Sequence, residues 1–136
     1  MTSRIATTVA AVLLAVSVDA GAEDPLAAEA LAQPQSGDSV ELELESIRRF
    51  GEKTVRLEIM IRWGDPTRPA PEGYTPRKVR YMGDCEEGTL TLAAVGVFDA
   101  SGRPLKSVIV PPRASDPIKP EKGTDLAKWL RQACMW

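Results

Sequence analysis

The sequence predicts an α+β domain: an antiparallel sheet of about five to six strands with a C-terminal helix packed on one face. Three observations carry this. Two stretches between Val40 and Trp63 alternate strictly between apolar and polar residues, which is the period of half-buried strands. Further β-type runs follow, separated by Gly, Pro and Asp clusters. The end of the chain instead places its apolar residues at helical spacing. The 136 residues suffice for one domain and not comfortably for two.

At the N-terminus, residues 1–22 have the form of a secretory signal peptide. Arg4 supplies the positive region, Ile5–Val18 is an uncharged run, and Ala20-Gly21-Ala22 fits the small-x-small cleavage pattern. The run is short of the roughly 20 apolar residues a spanning helix needs, although spans of about 17 occur and leave an uncleaved anchor as the alternative. The expectation is export through a cleaved signal peptide, with no transmembrane anchor afterwards. Residues 23–38 are Ala-rich and broken by Pro25, Pro34 and Gly37. They are expected to form a flexible tether in which Leu26–Gln33 makes a turn or two of helix, a length that is marginal in isolation. The folded domain is then 39–136.

Val40–Glu45 and Lys53–Trp63 are the first two strands, the second with Val55, Leu57, Ile59, Ile61 and Trp63 on one face. A two-residue Gly51-Glu52 turn of type II′ would join them. Pairing Phe50 with Lys53 then sets Val40, Leu42 and Leu44 opposite Trp63, Ile61 and Ile59, and Glu41 opposite Arg62. Residues 23–47 carry seven acids and no base, whereas residues 48–80 carry nine bases and four acids. In this hairpin the two charge runs become facing sides of one ladder. The register points Arg48 inward, so a bulge near Glu45–Ile47 is expected to turn Ile47 to the core instead. Gly64–Pro76, with four prolines, is a loop. Arg77–Cys85, Thr89–Asp99 and Leu105–Val110 are three more strands, and Thr89–Asp99, apolar on both faces toward its end, is expected to be central.

Thr124 is placed to cap a final helix, with Asp125 in its first turn. Leu126, Trp129, Leu130, Ala133 and Cys134 form one apolar stripe, with Trp129 as the expected core anchor. In an oxidising compartment Cys85 and Cys134 are expected to pair, which would pin the helix across the sheet.

Composition excludes more chemistry than it suggests. Histidine is absent, which removes Ser-His and Cys-His nucleophile pairs, His general bases and His-ligated metals. Asparagine is absent too, so no N-glycosylation acceptor exists. A net charge of −2 gives no footprint for nucleic acid. No cofactor motif is present. Asp84, Glu86 and Glu87 read as a solvated turn beside Cys85, with acid–base or Ca²⁺ chemistry as the alternative. Tyr74, Arg77 and Arg80 are the candidate partner-binding surface, with solvated strand surface as the plainer reading. Trp63, at a strand end, reads as a core lid, with an anchor for a partner as the alternative for it and for Trp136 at the end of the chain.

From about Val40 to Cys134 the chain resembles the surface-adhesin protein E family of small exported bacterial domains. The residues that carry this are Ser46-Ile47-Arg48-Arg49 with Gly51, Gly83-Asp84-Cys85, Val97-Phe98-Asp99 through Gly102, and Ile118-Lys119-Pro120 through Gly123-Thr124 to Cys134. The resemblance implies an antiparallel sheet backed by the terminal helix, a Cys85–Cys134 bond, and a domain able to form a homodimer. It also implies a non-enzymatic module that binds host extracellular-matrix proteins. The namesake members are lipid-anchored, and no cysteine lies near the cleavage site here, which favours the periplasm over surface display. A periplasmic envelope-maintenance or assembly role, with an envelope protein as partner, is the alternative.

Overall fold

The structure, a computed structural model, describes residues 25–136. The expected signal peptide lies outside the described residues. The elements run α1 (Pro25–Ala32), β1 (Asp38–Leu42), a 3₁₀ turn (Leu44–Ser46), β2 (Arg48–Phe50), β3 (Thr54–Trp63), β4 (Arg77–Asp84), β5 (Thr89–Phe98), β6 (Pro104–Ile109) and α2 (Asp125–Cys134). All strand pairs are antiparallel, in the order β1-β3-β4-β5-β6, and β2 pairs with β3 as well. The α+β class with a terminal helix on the sheet is therefore the observed one. β5 lies between β4 and β6, inside the sheet.

One face carries the core. Val55, Leu57, Ile59 and Ile61 of β3 are buried, as are Val79 and Tyr81 of β4 and Leu90, Leu92 and Val95 of β5. This is the alternation of the sequence converted into burial. Both helices cover this same face: Ala28 and Ala32 of α1 and Leu130 and Ala133 of α2 join one apolar cluster with the strands. The expected tether therefore needs correction. From Pro25 onward it is a helix whose Ala28 is completely buried, followed by Asp38 at the start of β1. Alanine at i and i+4 lets the helix backbone approach the sheet closely, and the sheet supplies the packing that so short a helix lacks alone.

α2 begins where expected. The Thr124 hydroxyl accepts a hydrogen bond from the Ala127 N–H at 3.3 Å, closing one of the open donors of the first turn. Leu130 and Ala133 are the buried residues of this helix, and the expected anchor Trp129 is only half-buried at their flank. Leu130 wins because Gly83 beneath it has no side chain: a Cβ there would stand 2.7 Å from Leu130 Cδ1 and 3.0 Å from Val55 Cγ2. Gly83→Ala is expected to lower stability by about 1–3 kcal/mol through overpacking. Denaturant unfolding checks this, and Leu130→Ala in the same chain should recover part of the loss.

The Cys85 and Cys134 sulfurs are bonded, with Cα atoms 5.7 Å apart. The bond ties the end of β4 to the last turn of α2. The Arg49 guanidinium adds a second tie by donating from Nη1 to the Cys134 carbonyl at 2.9 Å, a cation at a helix C-terminus.

The first hairpin differs from the sequence reading by one loop residue, and the rest of that edge follows. Phe50 pairs with Thr54, not Lys53, so Gly51, Glu52 and Lys53 form a three-residue loop with Gly51 at φ +87°. Lys53 is drawn away by the next turn: its carbonyl accepts from the Cys85 N–H at 2.7 Å and its ammonium pairs with Glu86 at 3.0 Å. Arg48 now faces Arg56, and Ile47 turns inward to 3% exposure. The predicted irregularity is present as the 3₁₀ turn. Beyond it, Val40 pairs with Ile61, Leu42 with Ile59 and Glu41 with Met60, two positions away from the predicted partners and on the same face. Ser46 makes the excursion affordable: its hydroxyl accepts from the Glu58 N–H at 2.8 Å, while the Glu58 carbonyl accepts from the Glu43 N–H at 2.9 Å.

Candidate functional site

The predicted surface of Tyr74, Arg77 and Arg80 is not one surface. Arg77 and Arg80 sit at odd and even positions of β4 and so point to opposite faces. Arg77 is buried, 5% exposed. Its Nε donates to the Leu31 carbonyl at 2.6 Å, and Nη1 to the Thr75 carbonyl at 3.1 Å. Its Nη2 donates to the Gln33 carbonyl at 3.2 Å and to Asp38 Oδ2 at 3.1 Å. The guanidinium thus caps the C-terminal end of α1 and neutralises an acid at the start of β1. Tyr74 donates its hydroxyl to Asp38 Oδ1 and packs edge-on to Trp63, ring centroids 5.6 Å apart. Both residues lock α1 and the Gly64–Pro76 loop to the sheet, Arg77 buried and Tyr74 half-buried. Trp63, expected as a core lid, instead packs outside the core cluster against the loop, its Nε1 donating to the Asp65 and Arg68 carbonyls at 3.1 and 2.9 Å.

This network titrates at both ends of the pH scale. Burial pushes the Asp38 carboxyl up, but hydrogen bonds from the Gln35 N–H, Tyr74 and Arg77 outweigh it and hold the group below 3.8. Burial, joined by the bond to Asp38, pushes the Tyr74 hydroxyl up to about 12. A depressed acid stabilises the fold above its unfolded value and loses that contribution as pH falls through the folded one. A raised phenol stabilises below its unfolded value of 10.0 and loses that contribution by about 12. The unfolding midpoint is therefore expected to fall below pH 3.8 and again between pH 10 and 12. Tyr74→Phe should shrink the alkaline step, leaving the part due to Tyr81, whose hydroxyl burial also pushes up, as followed by thermal melts across pH.

Among the described residues the other face of the sheet carries no helix. It presents Arg56, Glu58, Met60 and Arg62 from β3, and Lys78, Arg80 and Met82 from β4. Ile109 of β6, 59% exposed, lies on the same side by alternation with buried Val108, while Leu105 falls at the irregularity where Phe98 pairs with Pro104. Opposite charges pair across the strands: Arg80 Nη2 meets Glu58 Oε2 at 2.7 Å, and Lys78 Nζ meets Glu43 Oε1 at 3.1 Å. Arg80 thus belongs to this open face, as expected of a surface residue, though with Glu58 rather than Arg77.

The 3₁₀ excursion opens a cleft of about 580 Å³ on this face, lined by Leu42–Ser46, Arg48, Arg56, Glu58 and Arg80. Arg48 and Arg56 stand directly opposite each other in the register. Arg56 lies over the Phe50 ring at 5.7 Å, and its Nε is buried without a hydrogen-bond partner among the described residues. The sequence reading assigned no site here. The signal was the charge pattern itself: a hairpin with two arginines one loop residue from facing each other.

The turn beside Cys85 is closed by its own acid, since Asp84 Oδ1 accepts from the Glu86 and Glu87 N–H groups, each at 2.9 Å. Among the described residues no cluster of three or more His, Cys, Asp or Glu side chains is placed to hold a metal ion. No helix of the described residues is long and apolar enough to cross a membrane. The disulfide is the chemistry of an oxidising, extracytoplasmic compartment. Neither family models, nor curated proteins, nor solved structures yield a match to this chain.

Proposed function

We propose that the chain is an exported, non-enzymatic binding module that engages a protein partner across the open face of its sheet. The observation that carries this is the one-sided architecture: among the described residues both helices cover one face, and the other combines paired charges with exposed Ile109, Leu44 and Phe50. A face of interspersed apolar groups and ion pairs suits a polar-rimmed protein interface. The disulfide fits an exported domain. The likeness of its motifs to the surface-adhesin protein E family favours host extracellular-matrix proteins as the partner class, with the periplasm or cell surface as location. Solid-phase binding to laminin and vitronectin tests it. Saturable binding that Ile109→Lys weakens at least tenfold, with the melting temperature unchanged, supports the reading. An absence of saturable binding at micromolar protein sinks it.

A second reading, an envelope-assembly protein, is favoured by β6, an edge strand exposed at five of its six positions that could accept a partner strand. Crosslinking from an edge residue such as Ser107 in the cell envelope, set against crosslinking from Arg62, separates the two.

A further inference from the structure

We propose that the cleft beside the Leu44–Ser46 turn binds a single carboxylate, held between Arg48 and Arg56, and that in a partner protein this is an acidic side chain. The identity of the partner rests on the binding-module reading, whereas the carboxylate site does not.

The first argument is the cost of what the fold has placed there. Arg48 and Arg56 are directly opposed across β2 and β3, and like charges at such positions repel. Neither is in an ion pair among the described residues. Arg48 spends Nη1 on the Glu45 and Ile47 carbonyls at 2.7 and 2.9 Å. Arg56 keeps a buried Nε–H with no acceptor, which native structures seldom tolerate without a reason. An oxyanion between the two guanidiniums removes the repulsion, and a turn of the Arg56 side chain that brings its buried Nε–H toward the cleft lets the same group supply the missing acceptor.

The second argument sets the charge of the ligand. Glu58 is committed to Arg80 and Glu43 to Lys78. What remains on the cleft lining is Arg48, Arg56 and Glu45, a surplus of one positive charge. That surplus matches a carboxylate rather than a phosphate dianion, and the three glutamates at the rim disfavour a polyanion. The volume of about 580 Å³ admits a side chain with its backbone.

The test follows the Arg56 Nε–H resonance by NMR in the full chain, titrated separately with acetate, a short glutamate peptide and inorganic phosphate. Acetate and the peptide should shift it saturably, with a dissociation constant on the order of millimolar. Arg48→Gln, an exposed position, should weaken this at least tenfold, and Glu45→Gln should tighten it several-fold by removing the residual acid. Phosphate binding more tightly than acetate overturns the assignment to a carboxylate. No saturable shift, or the same affinity in Arg48→Gln, overturns the site. Because the titration uses no partner protein, its failure leaves the solid-phase result untouched, and the reverse also holds.

Discussion

Arg77→Met should cost the domain about 3–5 kcal/mol, the usual penalty for stripping one partner from a buried ion pair. The reason lies in what the guanidinium leaves behind. Asp38, its side chain fully buried, would keep its charge without the cation, and the Leu31, Gln33 and Thr75 carbonyls would lose their donor. Against a typical total of about 5–15 kcal/mol, that is a large share. α1 should be the first element to loosen, because two of the four acceptors belong to its C-terminal end. Denaturant unfolding gives the total, and hydrogen exchange at residues 28–32 reports the local part. Asp38→Leu combined with Arg77→Met should lose less than the sum of the two single changes, since no unpaired charge remains, with a coupling of about 1–3 kcal/mol. Additive losses would show that the pair is not the organising contact.

Removing the staple should cost nearly as much. The Cys85–Cys134 bond spans a sequence separation of 49 residues, and closing a loop of that length disfavours the unfolded chain by about 4 kcal/mol in the chain-entropy model. Cys85→Ala with Cys134→Ala should therefore lower the denaturant midpoint strongly. The denaturant slope should rise, because the unfolded chain is no longer held compact. α2 should remain docked in the native state through Leu130, Ala133 and the Arg49 bond to the Cys134 carbonyl. Retained helical signal with reduced stability is the expected pair of results. Loss of the helix at neutral pH without denaturant would mean that packing contributes little to its docking.

How much of this was legible beforehand can be judged residue by residue. The strands announced themselves because alternation is a local property: Val55, Leu57, Ile59 and Ile61 must share a face whatever packs on it. The capped terminal helix was legible for the same reason, since Thr124 and the apolar stripe lie within one short segment. The irregularity before Ile47 could be anticipated because an inward Arg48 was untenable. The hairpin register could not, because one residue's membership of the loop was decided by Cys85 and Glu86, more than thirty positions away.

By itself, then, the sequence determined the α+β class, the order of the long strands and the terminal helix, the core face of β3 and β4 and the pairing of two cysteines. Only the tertiary structure decided which charges are buried. Arg77 and Arg80 look alike on paper, yet one is sunk beneath a docked helix and the other lies on an open face. The physical reason is that a polar group is buried only where distant parts of the chain bring acceptors to it. Leu31, Gln33 and Asp38 do that for Arg77, whereas Arg80 meets only Glu58 of the neighbouring strand and stays at the surface.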